Sequence, residues 1–71
     1  MNAVLLRLIW SVIEDTPPHI LTGFDDSTLS KHLVNRVESQ VHLSRDDHRT
    51  LWSYLAARMP LIRDLAHQRV A

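Results

Sequence analysis

The chain has no cysteine among its 71 residues, so neither a disulfide framework nor a thiolate zinc site can hold it together. It has one glycine, Gly23, and three prolines, which leaves few tight turns and too little glycine for a phosphate-cradling loop. Neither sign of charge is in excess: eight Lys and Arg balance eight Asp and Glu, with five His besides. That balance argues against a general polyanion binder. The apolar stretch from Ala3 to Ile13 is broken by Arg7 and Ser11, well short of the roughly 18 apolar residues that cross a bilayer. The N-terminus carries neither a charged leading segment nor a small-residue cleavage site, which predicts a cytoplasmic protein without a secretory signal or membrane insertion. No G-x-S-x-G nucleophile motif is present, and so short a chain has little room for a deep pocket. Neither an enzyme nor a cofactor is expected.

What is present is apolar. Such residues make up 45% of the chain, enough to fold as one small domain over residues 1–71. A domain of this size has thin stability, and without disulfides or a metal it depends on tight helix packing or on oligomerisation. Residues 2–14 read as a first helix. Ala3, Arg7, Ser11 and Glu14 recur at i, i+4, i+8 and i+11 and share one narrow face. The remainder, from Val4 to Ile13, is large and apolar, far wider than the stripe of an ordinary surface helix. Such a helix is either central or divided between its own core and a second subunit, and it is expected to be the most buried element.

Thr16-Pro17-Pro18 ends that helix, because neither proline can donate and Pro17 disfavours helical geometry at Thr16. Residues 18–22 can form one helical turn, closed by Gly23 where a left-handed residue would sit. Phe24 precedes Asp25-Asp26, which start a second main helix over 25–40, with Asp25 as cap and Leu29, Leu33, Val34, Val37 and Val41 as its stripe. Lys31, His32, Arg36 and Glu38 fall outside the stripe. Leu43 and Ser44-Arg45-Asp46-Asp47 make a capping box with its apolar staple, opening a helix from Arg45 to Arg58. Pro60 predicts a split, with a last helix over 61–69 that turns Leu61, Ile62, Leu65 and Ala66 inward. The expected fold is all-α: a compact bundle of four short helices, or five if 18–22 counts as one. Its core comprises Ile9, Leu33, Val37, Leu51, Trp52, Leu55, Ile62 and Leu65.

Chemistry-bearing residues are scattered. His19, His32, His42, His48 and His67 include no pair at the i, i+3 or i+4 spacing of helical metal ligands, so no metal site is expected. Asp64 and His67 stand three apart, but two ligands alone do not make a site. The doublets Glu14-Asp15, Asp25-Asp26 and Asp46-Asp47 point about 100° apart on a helix and do not face each other. Capping and the helix dipole account for the last two. His48 fits the edge of the core beside Trp52. Trp52 lies on the buried stripe, and Tyr54 must point elsewhere. Tyr54, Trp10, Leu5 and Ile9 are therefore the candidate interface residues. A second reading takes the two main helices as a helix-turn-helix. Arg45 and Arg49 would then reach nucleic acid, although Asp46 and Asp47 at the same end repel phosphate.

Leu43-Ser44 through Leu51, Tyr54-Leu55 and Leu61-Ile62-Arg63-Asp64-Leu65-Ala66 resemble a family of small all-helical cyanobacterial proteins that pair a Trp-bearing apolar N-terminal helix with a C-terminal LIRDLA-like stretch. The resemblance covers about two-thirds of the chain and implies a bacterial cytoplasm. It lends no catalytic or binding residue. The sequence thus leads to a non-catalytic protein–protein interaction or accessory subunit, partnered by a second copy of itself and by another protein.

Overall fold

The computed structural model describes residues 2–70. Four helices follow one another: α1 (Ala3–Asp15), α2 (Pro18–Gly23), α3 (Asp26–Glu38) and α4 (Arg45–Val70). Among the described residues there is no strand, and no helix is long and apolar enough to cross a membrane.

Each start has a chemical cause. Asn2 caps α1, its Oδ1 accepting from the Leu5 N–H at 2.8 Å. Asp25 caps α3 in the same way through the Thr28 N–H at 2.8 Å. The Ser44 box closes on both arms: the Asp47 N–H donates to Ser44 Oγ at 3.1 Å, and the Ser44 N–H donates to Asp47 Oδ2 at 3.4 Å. Leu43 packs half-buried against the core, as a staple should. The end of α1 is drawn inward by Thr16, which is fully buried and donates its hydroxyl to the Val12 carbonyl at 2.7 Å.

The core is one cluster drawn from all four helices: Leu5, Ile9, Val12 and Ile13 from α1, Leu21 from α2, Leu29, Leu33, Val34 and Val37 from α3, and Leu51, Leu55, Met59, Ile62 and Ala66 from α4. Helices α3 and α4 run antiparallel, with Glu38 beside His48 at one end and Asp26 beside Arg63 at the other. Helix α4 is the spine. At 1.5 Å per residue its 26 residues span about 39 Å, close to the 37 Å long axis of the molecule.

Several sequence expectations are corrected here. Pro60 does not split the helix; it sits inside α4. Leu51, Leu55, Met59, Ile62 and Ala66, spaced 4, 4, 3 and 4 apart, form one buried stripe only if the helix continues. Pro60 and Ala56, whose carbonyl loses its donor, are both on the exposed side, where water can replace the bond. Continuity also fixes the phase of the last turns. Ile62 and Ala66 face inward, while Leu61 and Leu65 are left 47% and 39% exposed; Leu65 is not core. Trp52, one step around from Leu51, is half-buried against His48. No residue described has a positive φ, so Gly23 ends α2 in ordinary helical geometry and not in a left-handed cap. Helix α1 is not the most buried element either: α3 buries five residues and α1 four, each out of thirteen. The apolar girth of α1 exceeds the core available to it, and Val4 and Leu6 remain outside.

Candidate interaction surfaces

The candidate interface residues separate into two pairs. Leu5 and Ile9 point into the core and present nothing to a second molecule. Trp10 and Tyr54 come together at the surface seam between α1 and α4. The Trp10 indole N–H donates to the Tyr54 hydroxyl at 2.7 Å, and the rings meet edge to face with centroids 6.5 Å apart. The Arg58 guanidinium lies 4.8 Å above the Tyr54 ring, completing a cation–π stack. These aromatic polar tips are therefore satisfied within the chain.

The polar doublets are largely accounted for by local structure. Asp25 is a cap, and its carboxyl is held below its ordinary value of 3.8 by the Thr28 hydroxyl and then by the Thr28 backbone N–H. Burial opposes the shift and the charge of Arg63 adds to it. Asp47 belongs to the capping box. Asp15 binds Arg36 at 3.0 Å. His48 Nε2 lies 2.9 Å from Glu38 Oε1 and its ring leans on Trp52, 6.3 Å between centroids, at the core edge as the spacing suggested. His32, expected outside the stripe, is half-buried: its ring meets Phe24 edge-on at 5.9 Å, and its Nε2 is buried without a hydrogen-bond partner. Among the described residues no three His, Asp or Glu side chains converge as metal ligands.

Arg63 is the polar residue that sequence reasoning missed. Its guanidinium donates to the Leu21 carbonyl at 3.0 Å, the Phe24 carbonyl at 2.9 Å and Asp26 Oδ1 at 2.6 Å. One side chain thus ties the open end of α2 and the start of α3 to the spine. These partners lie 37 to 42 residues away, so no local pattern could have announced them.

Arg45 and Arg49 are exposed, one turn apart, on the first turns of α4. Exposed Asp46 shares that end, and no ion pair engages either arginine among the described residues.

Two apolar surfaces remain. On one flank of α1, Val4 is 70% exposed and lines a shallow groove with Arg7, Leu8, Ser11, Gln40 and Val41. On the other flank, a cavity of about 260 Å³ opens between Trp10, Ile13 and Glu14 of α1 and Ile62, Leu65 and Arg69 of α4. That is below the ~300–1,000 Å³ usual for small-molecule sites. Along the crest between these flanks run Arg7, Ser11 and Glu14, all exposed. Ion pairs engage Arg36 and Arg63 elsewhere, but Arg7 and Glu14 take part in none among the described residues.

Compared with protein-family models, with curated proteins and with solved structures, the chain matches none.

Proposed function

We propose that the protein is a small non-catalytic interaction module, an accessory or regulatory subunit of a bacterial cytoplasm, that acts as a homodimer through the outer face of α1. The observation that carries this reading is Val4. It is a large apolar side chain 70% exposed on a helix whose inward residues already complete the core. Val41, 37% exposed, extends the apolar surface beside it in the same groove, while Leu6, 38% exposed, points to the other side of α1. In so small a domain, covering such a surface with a second copy adds apolar burial that one chain cannot supply.

No observation comparably favours the DNA-reading alternative. Arg45 and Arg49 stand at a helix end that Asp46 and Asp47 make acidic.

Sedimentation equilibrium over a concentration series tests the reading. The wild type is expected to approach twice the 8.2 kDa chain mass, and Val4→Glu is expected to stay folded by circular dichroism while remaining monomeric. A wild type that is monomeric throughout the series, or a Val4→Glu variant that dimerises as the wild type does, would overturn it.

A further inference from the structure

We infer that the α1 helices of two copies pair antiparallel along Val4, Arg7, Ser11 and Glu14, joined by reciprocal Arg7–Glu14 ion pairs between subunits. This rests on the homodimer reading and specifies its geometry.

The four residues are spaced 3, 4 and 3 apart, the pattern of a single seam on one side of a helix. Val4, Arg7, Ser11 and Glu14 are all exposed. Arg7 and Glu14 are two turns apart on their own helix, about 10.5 Å along the axis, too far to pair with each other. Neither has another ion-pair partner among the described residues, and neighbouring Asp15 is already engaged by Arg36.

The charge order is complementary to its own reverse. Positive charge lies in the N-terminal half, negative charge in the C-terminal half, and small Ser11 lies between them. When one α1 is turned end for end against another, Arg7 falls opposite Ser11 of the partner subunit and Val4 opposite Glu14 of the partner subunit. The short serine lets the guanidinium extend three residues along the partner helix, about 4.5 Å, to Glu14 of the partner subunit. A two-fold axis makes each such contact twice. Parallel pairing would instead set Arg7 against Arg7 and Glu14 against Glu14. The charge pattern therefore selects a second copy, and one orientation of it.

A charge-swap experiment tests this on the full chain. R7E and E14R each place like charges across the seam, and each alone is expected to weaken dimerisation by on the order of tenfold. Mixed in equal amounts, the two variants restore opposite charges at both contacts and are expected to form a heterodimer of wild-type affinity. Raising the salt should weaken both the wild type and the mixture. Recovery on mixing also shows that neither variant had unfolded. If the wild type dimerises but R7E and E14R do so equally well alone, or mixing recovers nothing, the antiparallel seam is wrong while the homodimer stands. If the wild type does not dimerise at any concentration, both fall.

Discussion

The two ends of the polar surface treat charge in opposite ways. At the joint of α2, α3 and α4, Arg63 is three-quarters buried as a side chain and all its contacts are internal: two backbone carbonyls and Asp26. On the crest of α1, Arg7 and Glu14 stand in solvent with no ion pair in the chain among the described residues. The same residue types therefore do different work. A cation that ends orphan helix carbonyls stabilises the monomer. A cation left beside exposed valine contributes almost nothing to the monomer and is available to a partner.

The largest expected effect tests whether Ile9 belongs to the monomer or to its surface. Ile9→Ala removes a fully buried side chain and is expected to cost about 2–5 kcal/mol, enough to unfold a domain this small. Urea titration followed by circular dichroism reads this directly, whereas a folded Ile9→Ala monomer would mean that Ile9 had served an interface. Arg63→Ala sharpens the contrast of the two arginines. It leaves the Leu21 and Phe24 carbonyls without their donor and should cost about 1–3 kcal/mol in the same titration. Arg7→Ala should change monomer stability by no more than ~0.5 kcal/mol.

Pro60→Ala acts in the opposite direction. It restores the missing N–H inside α4 and should stabilise the chain by about 1–3 kcal/mol, read as a raised melting temperature. Destabilisation would mean that the helix needs a bend at that point. Gly23→Ala is the smaller of the two stabilising changes. A Cβ there meets nothing within 4 Å and no positive φ forbids it, so a gain of about 0.4–1 kcal/mol is expected from reduced freedom of the unfolded chain.

The pH dependence of the α3 cap follows from Asp25. Its carboxyl is lowered in the fold, so its contribution is present above the ordinary carboxylate range and is lost as pH falls through the folded value. Acid titration of Asp25→Asn should lack that component.

What was legible in the sequence was local chemistry. The Asp25 cap, the Ser44–Asp47 box and the breaking of α1 before Pro17 each depend on residues within one turn, and each forms. The buried stripe of α3 followed from spacing alone, apart from Val41, which lies beyond the helix and is exposed. Pro60 was misleading because a local rule sees a missing donor, whereas packing sees a stripe from Leu51 to Ala66 that one rod satisfies. The positions of Leu61 and Leu65 followed from that same continuity and were missed with it. Arg63 was invisible for a different reason, since its acceptors are backbone carbonyls brought close only by the fold. The girth of α1 did suggest division between a core and a second molecule, but which of its apolar residues point outward depended on the angle at which α1 meets α3 and α4. The outward residues are Val4 and Leu6, not Leu5 and Ile9.

The central claim is that the crest of α1 is the surface left for a partner while the Arg63 joint is closed. A dilution series of nitrogen–proton correlation spectra on the wild type tests it residue by residue. The account predicts concentration-dependent shifts at Val4, Arg7, Ser11 and Glu14, with Leu21, Phe24, Asp26 and Arg63 unmoved. Spectra that do not change with concentration, or shifts confined to Leu61, Leu65 and Arg69, would contradict it.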